Sequence, residues 1–310
     1  MTKSFKLLVI LFLFTAACFS MASPRGTAAP GIHGNIHRIE YNGNTAYIFG
    51  SMHVGRPGWF PLSDVVESAM RRADVFVFEF DLTRMEEAIR LSLGYALLPD
   101  GQTLASFLPR EVYETFVANM STYYSFHYGI MNRFTPMFLS SGIVLPEIFV
   151  EMDIYMEYSV DFYILRFALE NNIPVTGLND LHSEISITLD LPREVQIAVA
   201  KTTHDRATSL QMTRELQMAD MYETQNLDAF LQMRLDLALG EDAFSVYMLE
   251  NIVHARCHIF ASEIARLLRQ TEEATTFFIT MGILHIIGGD VDTNVLSLLS
   301  NAGFDVVPIF

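Results

Sequence analysis

The chain has 310 residues, of which 51% are apolar, and a formal net charge of −16. Its 36 acidic residues outweigh 20 basic ones, and no basic stripe interrupts them, so nucleic-acid binding and attraction to anionic membrane surfaces are disfavoured. The length suits one large domain with a sizeable buried core.

Residues 1–22 read as a signal peptide. Lys3 and Lys6 form a positive start, Leu7 to Ala17 is an apolar run too short to span a bilayer comfortably, and Ser20-Met21-Ala22 is a small-x-small cleavage site. An uncleaved anchor and lipoprotein processing at Cys18 are the alternatives. The expectation is export to the periplasm or the extracellular space. Cleavage leaves 288 residues, removes Lys3 and Lys6 to give a net charge of −18, and leaves Cys257 alone, so no intramolecular disulfide can form. No later segment resembles a transmembrane helix; the apolar stretch Phe138 to Val150 is short and broken by Pro146 and Glu147.

Residues 23–34 are small, rich in Pro and Gly, and predict a flexible N-terminus. Ile36 to Tyr41 and Thr45 to Phe49 flank Asn42-Gly43-Asn44, a β-hairpin signal. The second strand runs into Gly50-Ser51-Met52-His53. A helix is expected over Ser63 to Arg72, with Ser63 as cap and Asp64 at its positive end. Val75 to Phe80 then predicts a strand carrying Glu79 near its end.

From about 85 to 270 the pattern is mainly helical, with helices expected over 85–97, 110–120, 158–171, 208–224, 226–239 and 243–269 and one short strand at Ile173 to Leu178. The Met and Phe content of this insert reads as core packing. At the C-terminus the opening pattern returns. A strand over Thr275 to Thr280 leads to Gly282-Ile283-Leu284-His285, then a helix over Thr293 to Ser300 and a strand over Phe304 to Ile309. The expected fold is therefore α/β (α+β). Two pseudo-symmetric strand–GxxH–helix–strand units build a mixed central sheet around a large helical insert, in one domain over 35–310.

A four-letter GxxH pattern carries little alone. Chance gives roughly 0.5 matches in a chain of this composition, and three occur. Gly34 to His37 follows no strand and is set aside. The other two each end a β-branched or aromatic strand. Glycine at a strand end lets a backbone or ligand approach closely, and sites form at the carboxyl ends of strands in α/β folds. Side by side, the two units would converge His53 and His285, with Glu79 nearby. Two imidazoles and a carboxylate can hold a catalytic divalent metal with an open water position. Glu79 can alternatively serve as a general base without metal. The competing structural explanation is three unrelated hydrogen-bonded core residues, but a glutamate inside Val-Phe-Val-Phe-Glu-Phe is costly unless partnered.

Gly50-Ser51-Met52-His53-Val54-Gly55, Phe78-Glu79-Phe80-Asp81 and Gly282-Ile283-Leu284-His285 together resemble the TraB/GumN family. The arrangement is similar to the Tiki metalloproteases and, more remotely, to the erythromycin esterases and ChaN-like proteins. The resemblance covers roughly residues 35–310 and is most specific at the two ends. It implies a mixed-sheet fold with pseudo-symmetric GxxH units, and His53, Glu79 and His285 as site residues. It also implies peptide hydrolysis dependent on a divalent metal of the Mn, Co or Zn class. Arg256 falls where such proteins often carry an arginine followed by asparagine, here replaced by Cys257. Asn179 stands where many members have glutamate.

Gly50, Gly282, Arg256 and Asp81 are the supporting residues. Arg256 is expected either to orient a substrate carboxylate or developing oxyanion or to form an ordinary salt bridge. Asp81 shares a strand face with Glu79 by period two and is expected as a cap. His254 and His258 are spaced as in a zincin, but His-Ala-Arg-Cys-His lacks the required glutamate, so they read as packing or surface groups. His33 and His37 are expected at the surface, and Cys257 as a buried, inert thiol. The leading expectation is a metal-assisted hydrolase of a peptide or small carbonyl substrate. The alternatives are a non-catalytic peptide, metal or haem-binding protein and a metal-free esterase.

Overall fold

The computed structural model describes residues 35–123, 131–140, 153–206, 210–288 and 293–309. The expected signal peptide, Cys18, His33 and most of the 138–150 stretch lie outside the described residues. Among the described residues no helix is long and apolar enough to cross a membrane.

The hairpin forms as its sequence demands. Strand β1 (Ile36–Tyr41) pairs antiparallel with β2 (Asn44–Ser51) around Asn42 and Gly43, both at positive φ (50° and 86°), the geometry of a primed two-residue turn. Helix α1 (Asp64–Met70) is capped by Ser63, whose hydroxyl accepts from the Val66 N–H. It buries Val66, Ala69 and Met70 against the sheet. Strand β3 spans Val75–Phe78.

The helical region then contains α2 (Met85–Tyr95), α3 (Arg110–Tyr123), α4 (Val160–Glu170), α5 (Leu181–Leu189), α6 (Arg193–Arg206), α7 (Leu210–Glu223) and α8 (Leu227–Ala238). The helices expected over 208–224 and 226–239 match α7 and α8 to within two residues. Helices α5 and α6 were not anticipated. The β-branched Ile185, Ile187 and Thr188 lower the helix propensity of α5, and α6 lacks a strong apolar period. Strand β4 (Val175–Gly177) interrupts the helices.

The long helix expected over 243–269 is divided. Ala243–Tyr247 is α-helical, Met248–Ala255 is π-helical, and α9 runs over Arg256–Gln270. A π-segment widens the turn and so rotates every later residue about the helix axis. Here Arg256 and Cys257 head the buried stripe completed by Phe260, Ala261, Ile264, Ala265 and Leu268. Strand β5 (Thr276–Gly282), α10 (Val295–Asn301) and β6 (Val307–Pro308) close the chain. The expected final strand, Phe304 to Ile309, is thus only two residues of edge strand.

The six strands are ordered β4-β3-β5-β2-β1-β6. Strands β4, β3, β5 and β2 are mutually parallel, and β1 is antiparallel to both neighbours, so the sheet is mixed. Strands β2 and β5 lie side by side, with Ser51 opposite Gly282. From this central pair the chain departs in opposite directions: β2 crosses over α1 to β3 on one side, and β5 crosses over α10 to β6 on the other. The two helices cover opposite faces. Helix α1 packs with Tyr47, Phe49, Phe76 and Phe278, and α10 packs with Ala46, Ile48, Val77 and Ile279. A reversal of winding between adjacent parallel strands leaves a crevice at their carboxyl ends, where ligands of open α/β sheets bind.

Candidate functional site

The crevice is where both GxxH segments emerge. His53 lies two residues past the end of β2, and His285 three past the end of β5. Glu79 follows β3 by one residue, because that strand ends at Phe78 rather than Phe80. Glu79 is 8% exposed and His285 5%, whereas the His53 side chain is 64% accessible. The structure brings the three together. His53 Nε2 lies 4.0 Å from Glu79 Oε2, and His285 Nε2 lies 3.8 Å from Glu79 Oε1.

Two glycines line this approach. A Cβ on Gly282 would sit 3.4 Å from both Glu79 Oε1 and His53 Nε2, and 3.8 Å from the His285 ring. The Gly282 N–H also donates to Glu79 Oε1 at 2.7 Å. Gly50 faces the segment that carries His285: a Cβ there would lie 2.7 Å from Ile286 Cδ1 and 3.3 Å from Ile283 Cα.

Arg256, 5% exposed, forms ion pairs with both Glu79 Oε2 and Glu184 Oε1. Its second terminal nitrogen is 3.4 Å from His285 Nε2, and its Nε–H, buried, has no hydrogen-bond partner among the described residues. Of the two roles expected for Arg256, the salt bridge is the one observed, and it lies in the crevice. Glu184 also accepts from Asn179 Nδ2 at 3.1 Å. Cys257 is buried, with its thiol 3.4 Å from His285 Nδ1.

Asp161 was not singled out from the sequence. Its Oδ2 lies 2.9 Å from His53 Nδ1, and its Oδ1 accepts from the Ser51 hydroxyl at 2.7 Å. Arg234, 1% exposed, was also missed; it donates to the carbonyl oxygens of Leu284, Ile287 and Thr293 and so pins the turn that carries His285. A buried cation spent on three backbone carbonyls has no local sequence signal.

Asp81 is not in this cluster. The strand ends before it, so period two does not apply, and its carboxylate caps a short turn by accepting from the Thr83 N–H at 2.9 Å. His258 is exposed on α9. His37 contradicts the surface expectation in part: its Nδ1 is buried without a partner among the described residues, and burial lowers its pKa to about 4.

The two imidazoles differ in charge. For His53 burial opposes protonation, but the Asp161 carboxylate and then Glu79 overcome it and raise the ring to about 9; water at the exposed ring edge screens part of this pull. For His285 burial dominates, with Glu79 opposing and Arg256 assisting, and the ring is lowered to about 3. Burial alone would raise Glu79, but Arg256, then the two histidines and the Gly282 N–H, hold it well below the usual carboxylate range. Glu184 is raised, by burial above all; Arg256 opposes this and Glu79 adds to it.

A divalent ion can be tested against these groups. The donor types are right: two imidazole nitrogens and a permanently charged carboxylate. Ligand atoms on a metal with bonds of about 2.0–2.2 Å stand roughly 3–5 Å apart, which the 4.0 and 3.8 Å separations satisfy. The space beside Gly282, which a Cβ would fill, adjoins all three side chains. Against this, Arg256 already contacts Glu79, and among the described residues no three His, Cys, Asp or Glu side chains stand ready-spaced around an ion. Loading requires His53 to give up its Nε2 proton and Glu79 to be shared with Arg256. The residues fit an ion on those terms.

A family model described as the TraB/PrgY/gumN family matches residues 35–308. No curated protein and no solved structure matches the chain.

Proposed function

The chain belongs to the TraB/PrgY/gumN family, and from that premise we propose that it is a metal-assisted hydrolase of a peptide or small carbonyl substrate, exported from the cytoplasm. One observation carries the reading. Imidazoles from two segments more than 200 residues apart approach a single buried carboxylate to within 4.0 Å, at the reversal point of the sheet. Export rests on the charged, apolar and small-residue pattern of residues 1–22 alone.

His53, His285 and Glu79 would hold the ion. When bound, such an ion lowers the pKa of a coordinated water and polarises a carbonyl. Burial keeps His285 neutral, the state in which an imidazole nitrogen can donate a lone pair. Arg256 and the Gly282 N–H fix the Glu79 carboxylate in place and keep it charged. Arg256 also supplies a fixed positive charge in the crevice, suited to an oxygen that becomes negative during hydrolysis.

A metal-free mechanism needs Glu79 as general base. A carboxylate held well below its ordinary range is a weak proton acceptor at neutral pH, which favours the ligand role over the base role.

The test is Co²⁺, Mn²⁺ and Zn²⁺ binding by titration calorimetry, with peptide hydrolysis measured in parallel. About one ion should bind per chain. His53→Ala and His285→Ala should each abolish binding while near-UV circular dichroism stays native. Unchanged affinity in both variants removes the proposal, and full hydrolysis in excess chelator transfers the chemistry to the metal-free mechanism.

A further inference from the structure

We propose that Asp161 is a positioning residue for the candidate site: its carboxylate holds His53 by Nδ1 and so presents Nε2 to Glu79. Asp161 lies in the first turn of α4, where an acid is expected simply to complement the helix dipole. Its hydrogen bonds are of another kind. The helix is capped by Ser159, whose hydroxyl accepts from the Phe162 N–H at 3.1 Å. Neither Asp161 oxygen is spent on the helix end: Oδ2 meets His53 Nδ1 at 2.9 Å and Oδ1 accepts from Ser51 Oγ at 2.7 Å.

The Asp161 side chain is 12% exposed, and a buried charge needs partners on both oxygens to be tolerated. Ser51 and His53 are those partners. They lie two residues apart on the chain leaving β2, so the carboxylate clamps that exit. A backbone bond sets the clamp: the Val160 N–H donates to Met52 O at 3.0 Å, joining the start of α4 to the residue between Ser51 and His53. Tyr222 fixes the other side, its hydroxyl donating to Gly50 O at 2.8 Å.

A hydrogen bond on one ring nitrogen decides what the other can do. With Nδ1–H donated to Asp161, the ring presents its Nε2 edge to Glu79, 4.0 Å away, and it is Nε2 that carries the lone pair once the raised ring loses its proton. The accessible His53 ring has little packing to hold it, so orientation falls to Asp161. Carboxylate partners of this type typically change metal affinity or activity by roughly 10–100-fold when removed. The chemical purpose of the clamp rests on the hydrolase reading; its geometry does not.

Two measurements separate the two. The first follows the His53 ring nitrogens by NMR across pH in metal-free protein. Asp161→Asn should lower the His53 midpoint and leave a mixture of neutral tautomers, and Asp161→Glu should restore part of the shift. Ser51→Ala, which keeps the carboxylate, should move it less. A midpoint and tautomer in natively folded Asp161→Asn equal to those of the parent would overturn the proposal, as would a Ser51→Ala effect equal to that of Asp161→Asn. If Asp161→Asn does not fold, the graded order of Ser51→Ala and Asp161→Glu against the parent decides the matter in the same way. The second is Co²⁺ titration, where Asp161→Asn should weaken binding by roughly 10–100-fold. Absence of Co²⁺ binding to the parent itself would sink the metal reading while the NMR result still judges Asp161.

Discussion

Gly50-Ser51-Met52-His53 and Gly282-Ile283-Leu284-His285 leave adjacent parallel strands at the same level of the sheet, yet their imidazoles meet opposite surroundings. The His53 ring is accessible, bonded to a carboxylate and raised to about 9, with Asp161 outweighing the partial loss of water around it. The His285 ring is buried beside a thiol and a guanidinium, and burial lowers it to about 3. A repeated tetrapeptide thus reproduces backbone placement and not charge state. Charge is set by burial, by Glu79 between them, and by what the helices bring: Asp161 from α4 to His53 and Arg256 from α9 to both rings.

Arg256 is the group whose loss should disturb both copies most. Arg256→Met leaves Glu79 and Glu184 buried without their shared cation, and removing one partner from a buried pair costs about 3–5 kcal/mol. Both histidine midpoints should rise, because the guanidinium disfavours protonation of each ring. Denaturant unfolding and NMR titration read the two effects. A stability loss below about 1 kcal/mol would mean that the two carboxylates do not depend on this cation.

The pH dependence of stability should carry the mark of both copies. In metal-free protein, His285 resists protonation when folded, so between pH 6.5 and about 3 the unfolded chain binds a proton that the folded chain does not. Stability falls on acidification through that range. Glu79 adds to the fall below its ordinary value of 4.5, because its folded pKa is depressed; Glu184, shifted upward mainly by burial, offsets part of it. His53 works in reverse: its contribution is full below pH 6.5 and is lost as pH rises through about 9. Chemical denaturation from pH 4 to 10 should give a maximum near neutrality. A curve rising steadily to pH 10 would deny the His53–Asp161 attraction.

The sheet half of this picture was legible in the sequence. Hairpin, strand–GxxH exits and the pairing of two distant copies come from period-two runs and turn chemistry, which are local. The helical half was legible as helical overall, though not in α5 and α6, and illegible as chemistry. Asp161 and Glu184 lie in the first turns of α4 and α5, where acids are ordinary. Only long-range packing shows that one reaches His53 and the other Arg256. The π-segment before Arg256 has no periodic signature, so a single helix was expected where three segments stand. Asp81 fails in the opposite direction: two residues from Glu79, it would share a face with it only if the strand ran two residues further than it does.

The glycines sharpen the comparison at the smallest scale, because each copy begins with one and the two serve different ends. Gly50→Ala places a methyl 2.7 Å from Ile286 Cδ1 and 3.3 Å from the Ile283 Cα. The side chain can yield and the backbone cannot, so overpacking should cost about 1–3 kcal/mol. Gly282 has φ −51° and ψ 133°, a conformation open to alanine. Its added methyl meets Glu79 Oε1 and His53 Nε2 at 3.4 Å, a tight but tolerable contact. Gly282→Ala should therefore change stability by less than about 0.5 kcal/mol, the ordinary range for substitutions without a named structural conflict. The methyl nevertheless fills the space that all three side chains adjoin, so Co²⁺ binding and hydrolysis should be lost in a protein that melts like the parent. Retained Co²⁺ affinity in Gly282→Ala would move the reacting space away from this strand end, and the two glycines would then differ only in how closely they are packed.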